Sequence, residues 1–197
     1  MSVFTFALTF FLVANPIGNS PTILSLVKEF PFDRQKKIVL REGLISLIIA
    51  LFFQFFGEIF LELLQISDYA LSLTGGIILF LVALKMIFHF PEDPKSAQLK
   101  KEPFIVPIAT PLISGPGLMT MIMVSSRSEP SGLLITLAIL IAWVGVLAVL
   151  IGAPYLQKLI GKRGLAAMEQ VMGMILGLIS MQMIVNGGIL FVKTLKN

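Results

Sequence analysis

The sequence predicts an all-α integral membrane protein of six transmembrane helices, arranged as a 3+3 inverted repeat with helices 1 and 4 broken. Three observations predict it. First, 56% of the 197 residues are hydrophobic and 13% charged, with a mean hydropathy of +0.95, whereas about a quarter of the residues of a soluble domain are charged. At about 20 residues per span the length accommodates six spans and short connections. Second, two stretches interrupt apolar segments with prolines five residues apart: Asn15-Pro16-Ile17-Gly18-Asn19-Ser20-Pro21 and Thr110-Pro111-Leu112-Ile113-Ser114-Gly115-Pro116-Gly117. Third, the chain matches itself. At an offset of 95, Pro16 meets Pro111, Pro21 meets Pro116 and Gly57 meets Gly152. At 97, Gly76 meets Gly173 and Met86-Ile87 meets Met183-Ile184. Inverted repeats leave such faint symmetry.

The elements follow in order. Span 1 runs from about Val3 to Val27 and holds the first interruption; residues 1–14 lack the basic start of a cleavable signal. A basic loop, Lys28 to Arg41, leads to span 2, about Gly43 to Gly57. Span 3, about Tyr69 to Phe88, contains Gly75-Gly76 and ends near Lys85. Residues 91–103, with three prolines, form a cytoplasmic linker between a first repeat, 1–90, and a second, 104–197. Span 4, about Phe104 to Val124, holds the second interruption. Span 5 covers about Leu133 to Tyr155, and span 6 about Leu165 to Val192. Taking the connections alternately, one side collects 12 of the Lys and Arg residues and the other 3. The positive-inside rule then places both termini outside the cytoplasm. An odd number of spans per half makes the halves antiparallel.

Each interruption removes helical hydrogen bonds. Proline lacks a donor and glycine relaxes the backbone, and unwound backbone survives in hydrocarbon only where protein or a wet cavity satisfies it. The candidate substrate-binding residues are therefore Asn15, Pro16, Gly18, Asn19, Ser20, Pro21, Thr110, Pro111, Ser114, Gly115, Pro116 and Gly117. The half-helices beginning near Thr22 and Leu118 would point positive N-termini at a carboxylate, and freed carbonyls would meet an ammonium. Kinks that serve only packing are the structural alternative. Lys85, with its repeat partner Gln182 and with Asn186, is a candidate for coupling or gating. Arg41, Glu42, Glu58 and Glu169 lie near span ends, where interfacial placement is expected. Gly75, Gly76, Gly173 and Gly177 are expected to allow close helix approach.

Other classes are excluded on composition. The net charge of +4 lies in loops, as orientation requires, so no nucleic-acid partner is expected. There is no cysteine, and the ten methionines lack a companion set of histidines, so no metal or other cofactor is expected. The single histidine, His89, and all three aspartates lie in loops or at span ends, so no acid–base pair forms at depth and no enzyme is expected.

These stretches, together with Ser72-Leu73-Thr74-Gly75-Gly76-Ile77-Ile78-Leu79-Phe80-Leu81, Glu102-Pro103-Phe104-Ile105-Val106-Pro107 and Leu165-Ala166-Ala167-Met168-Glu169-Gln170-Val171-Met172-Gly173, resemble the MarC family of neutral amino acid transporters, especially its shorter YhgN-like branch. The resemblance spans both halves. It implies a six-span bacterial inner-membrane protein moving glycine, alanine and other small neutral amino acids. Much of that branch carries Asp where this chain has Asn15, a departure that bears on coupling.

The expectation is a secondary transporter or exporter of small neutral amino acids working by alternating access, embedded among membrane lipids. H⁺ or Na⁺ as coupling ion and a homo-oligomeric assembly stay open, and the lack of a deep Asp or Glu argues against proton coupling. A channel-like pore and a non-transporting structural or regulatory membrane protein are the alternatives.

Overall fold

The computed structural model describes residues 2–88, 103–129 and 131–196. The linker expected at 91–103 lies outside the described residues except for Pro103, and His89 lies outside them too. Within them the chain is helical, with one isolated bridge between Phe104 and Val106 and no strand.

Helix α1, Val3–Ala14, is capped by the Ser2 hydroxyl, which accepts from the Thr5 N–H. It stops at Asn15, whose φ of 50° and ψ of 52° are left-handed, a conformation Asn tolerates better than most residues. Helix α2, Pro16–Val27, restarts at once, with proline in its first turn, where no N–H is missed. The Asn15 side chain caps it, its Oδ1 accepting from the Gly18 N–H at 3.1 Å. Ser20 is fully buried and donates to the Pro16 carbonyl.

Helix α3, Phe32–Leu63, starts earlier than the sequence suggests, so most of the expected basic loop 28–41 is helical. Pro31 precedes it and Asp33 occupies its first turn, where a negative charge complements the helix dipole. At 32 residues it is about 48 Å long, more than hydrocarbon alone requires. Val39, Gly43, Ser46, Ala50, Gln54, Gly57 and Leu61 form its buried stripe. Leu44, Ile48, Phe52, Phe55, Phe56 and Ile59 stay exposed on its other side, as expected of a helix facing lipid.

Helix α4, Asp68–Phe88, packs antiparallel to the last helix. A helical stretch from Gly132 to Lys196 turns back at Gly161, whose φ of 70° only glycine adopts freely. Its two arms are α6, Gly132–Gly161, and α7, Arg163–Leu195. Leu156 and Ile160 of one arm pack with Leu165 of the other. The α4–α7 contact is close at Gly76 and Gly173. A Cβ on Gly76 would stand 3.0 Å from both the Ile184 nitrogen and the Ser180 carbonyl, and one on Gly173 would stand 3.1 Å from the Ala83 carbonyl. Small residues let the backbones meet this way. Gly177 is less demanding: its Cβ would lie 3.9 Å from the nearest neighbour, Ala83 Cβ.

The segment from Pro103 to Gly115 departs most from an ordinary helix. Pro103, Pro107 and Pro111 are spaced four apart, so the donors that would bond the 103 and 107 carbonyls in an α-helix do not exist. The chain takes wider turns instead. Leu112 N–H reaches Pro107 O, Thr110 N–H reaches Ile105 O, and Ser114 N–H reaches Ala109 O, each five residues back. Thr110 itself is extended, with φ −136° and ψ 129°. The second interruption thus follows a π turn over Ile108–Ile113 rather than an α-helical half. Helix α5, Pro116–Ser128, begins directly after it.

The two proline-rich interruptions meet. The Asn19 side-chain amide donates to the Ala14 carbonyl at 3.1 Å and to the Leu112 carbonyl at 2.7 Å, joining the end of α1 to a segment 93 residues away. Behind them, Ser114 Oγ donates to the Ser46 carbonyl at 2.9 Å. The Trp143 indole N–H is shared between the Gly43 carbonyl and Ser46 Oγ. At the far end of α3, Arg127 pairs with Asp68 and lies 3.6 Å from Glu58. The main core gathers Phe10, Val13, Ile23, Ile113, Leu118, Ile135, Ile139 and Trp143.

Two stability outcomes follow from this packing. Asn19→Leu leaves two carbonyls without their donor and lowers unfolding free energy by about 1–3 kcal/mol, measured by thermal unfolding in detergent. Gly76→Val forces α4 from α7 and costs about 1–3 kcal/mol by the same assay, while Gly177→Ala stays within about 0.5 kcal/mol of wild type.

Candidate functional site

A cavity of about 610 Å³ opens where the two interruptions face each other. The first contributes Asn15, Gly18, Asn19 and Pro21, and the second Pro111, Gly115, Pro116 and Gly117. Helix α4 forms one wall through Ile78, Leu79, Val82, Lys85 and Met86, whose three- and four-residue spacing puts them on one face. Helix α7 adds Glu169 and Leu176.

The two mouths of the interrupted segments differ. At the first, the backbone freed by the break is largely used within the protein. Asn15 Oδ1 takes the Gly18 N–H, Asn15 Nδ2 lies 3.1 Å from Met86 Sδ, and Asn19 takes the Ala14 carbonyl. At the second, Gly115 caps α5 without any side-chain hydrogen bond. The residues whose N–H groups head that helix, Gly117 and Leu118, both line the cavity. A helix start with uncapped donors and a partial positive charge faces the empty volume.

Of the residues expected at the site, Pro16, Ser20, Thr110 and Ser114 do not line the cavity. Ser20 and Ser114 are wholly buried, each spending its hydroxyl on a backbone carbonyl. Gln182 and Asn186 are exposed on α7 and bond each other at 2.9 Å, also away from the cavity. Lys85 does line it. It sits two turns along α4 from Ile78, about 10 Å by helix rise.

Glu169 and Glu42, expected near span ends, are both drawn into the protein. Glu169 is half-buried and lines the same cavity as Lys85. Because α4 and α7 run antiparallel with Gly173 against Met86, both charges stand toward one end of it. Glu42 is fully buried, ion-paired to Arg41 at 2.8 Å. Ile78, Val82 and Leu176, the apolar wall, were not singled out in the sequence; only the three- and four-residue spacing back from Lys85 on span 3 could have pointed to Ile78 and Val82.

The sequence matches the MarC family of integral membrane proteins over residues 1–190. Among curated relatives, a UPF0056 membrane protein of Buchnera aphidicola subsp. Baizongia pistaciae is 39% identical over 180 residues, which is 89% of this chain and 90% of the relative. The UPF0056 inner membrane protein YhgN of Escherichia coli (strain K12) is 37% identical over 183 residues, 92% of this chain and 93% of the relative. A UPF0056 membrane protein of Chlamydia pneumoniae is 34% identical over 184 residues, covering 92% and 91%. No solved structure matches. A profile match over nearly the whole chain, helices long and apolar enough to cross a bilayer and full-length relatives named as membrane proteins lead to one conclusion: this chain belongs to the MarC family of integral membrane proteins.

Proposed function

We propose that the protein is a secondary transporter or exporter of small neutral amino acids, and that it works by alternating access between two antiparallel three-helix halves, 1–90 and 104–197. Its setting is the bacterial inner membrane, with both termini extracytoplasmic. The observation that carries this reading is the meeting of two proline-interrupted segments, distant in sequence, around one cavity. Interrupted helices facing each other at a repeat interface are how many transporters build a midplane site.

In this reading the carboxylate of the zwitterion docks on the uncapped start of α5, at the N–H groups of Gly117 and Leu118, with the Asn15 amide close by. Lys85 and Glu169 supply a positive and a negative pole at one end of the cavity. The ammonium faces Glu169 and those freed carbonyls that Asn19 does not already occupy. Rocking of one half against the other would then expose the cavity to each side in turn.

Purified protein in liposomes is expected to show saturable, stereoselective counterflow of labelled alanine. Unsaturable flux would identify a pore, and failure of every amino acid to move would identify a non-transporting protein. Val82→Trp, which fills the cavity from α4, is expected to cut counterflow at least tenfold, while Val185→Trp on the outer face of α7 leaves it near wild type. Lys85→Met is expected to raise the half-saturating concentration about tenfold, equivalent to ~1.4 kcal/mol.

A further inference from the structure

Helix α7 carries two amides at a depth where hydrocarbon surrounds the protein. Residues 170–192 hold no charged side chain, and about 35 Å of helix is enough to cross the bilayer core. Gln182 stands beside the middle of that run and Asn186 one turn further along. Both are exposed on the surface of the chain. Gln182 Nε2 donates to Asn186 Oδ1 at 2.9 Å, and no other hydrogen bond reaches either side chain among the described residues. Each amide offers two N–H donors and an acceptor oxygen, so the Gln182 oxygen and the Asn186 amino group are left unused. Lipid tails supply no partner for them.

Amides deep in the other spans are used in one way. Asn19 joins the Ala14 carbonyl to the Leu112 carbonyl, and Asn15 Nδ2 reaches Met86 of α4. Gln54 of α3 donates to the Gly132 carbonyl at 2.9 Å and to Thr136 Oγ1 of α6 at 2.7 Å. Each ties one segment to another. Within α7 itself, the Ser180 hydroxyl is spent on the Gly177 carbonyl. Gln182 and Asn186 alone have no facing segment among the described residues. Leu178, Met181, Val185 and Ile189 flank them at three- and four-residue spacing and are exposed as well. The opposite side of α7 is the one in use, with Gly173, Ser180 and Gly187, spaced seven apart, close against α4.

We propose that this outer face of α7 docks a second copy of the chain, forming a two-fold dimer within the bilayer centred on Gln182 and Asn186. Two properties identify the occupant. An amide carries donor and acceptor together, so it is complementary to itself, as a carboxylate or an ammonium is not. All copies enter the membrane in one orientation, so a two-fold axis along the membrane normal sets each residue at the depth of its mate. The unused oxygen and amino group of one copy then meet those of the other, and Leu178, Met181 and Val185 pack around them. Packing and interhelical hydrogen bonds of this kind are what associate helices in lipid. Neither amide lines the cavity, so each copy keeps a whole site and the dimer stands independently of the transport reading.

The test is the number of copies per particle when the dye-labelled full chain, purified in liposomes, is diluted stepwise with lipid and counted by single-molecule photobleaching. The wild type is expected to give two copies, falling to one on dilution. Gln182→Leu combined with Asn186→Leu is expected to raise the dimer dissociation constant about tenfold, while Gln182→Asn, which keeps an amide, restores most of the affinity. One copy at every dilution of the wild type means that lipid alone covers the face and overturns the proposal, as does a double variant that dimerises like wild type. Cross-linking decides should the double variant fail to fold. The chain has no cysteine, so each introduced thiol is unique. Val185→Cys is expected to cross-link to its mate with a short bismaleimide, whereas Ile48→Cys on α3 and Val144→Cys on α6, both exposed, are not. Cross-linking at either of those positions with none at Val185→Cys would place the interface elsewhere and overturn the assignment.

Discussion

The structure depends on one constraint: backbone groups released inside an apolar protein must find partners, because hydrocarbon provides none. Prolines at 16, 21, 103, 107, 111 and 116 remove donors from stretches that otherwise read as membrane-embedded helix. The chain answers with a small set of side chains. Asn15 caps the helix that begins beside it, Ser20 takes a carbonyl within its own helix, and Ser114 reaches across to α3. Asn19 does most, since one amide group satisfies carbonyls from both interrupted segments and so fixes their separation. The cavity lies beside that contact, which leaves its position little freedom.

Close packing elsewhere makes the arrangement rigid. Helices α4 and α7 approach through Gly76 and Gly173 until backbone meets backbone. The cavity wall that α4 supplies is therefore held by the adjoining face of the same helix, with Met86 belonging to both. The hairpin turn at Gly161 serves the same end, returning α7 so that Glu169 stands toward Lys85. Against this frame, the segment from Pro103 to Gly115 is the part built from the weakest regular structure, with wide turns and one extended residue. Its two anchors on α3, Arg41 to Pro103 and Ser46 to Ser114, give that helix control over where α5 begins.

Polar residues of the two interruptions divide into those that complete the fold and those that face the cavity, and side-chain type does not separate them. Ser20 and Ser114 are consumed by carbonyls, whereas Asn15 and Asn19 make structural hydrogen bonds and still line the open volume. The carboxylates behave the same way. Glu42, Glu58 and Glu169 all read as span-end residues, yet one is fully buried, one is exposed on the Arg127 network and one lines the cavity. Distance from a loop along the sequence does not set burial within the protein when a helix such as α3 continues several turns past the apolar stretch.

By itself, the sequence determined that the chain is helical and membrane-embedded, because composition and apolar run length depend on the solvent the surface must meet. It also determined where helical hydrogen bonding must lapse, because a proline lacks its donor wherever it is placed. Only the tertiary structure decided which freed groups are satisfied internally, and that Lys85 and Glu169 share a cavity from which Gln182 and Asn186 are turned away. Those outcomes turn on which helix faces meet across more than eighty residues of chain. Local spacing carries no record of that.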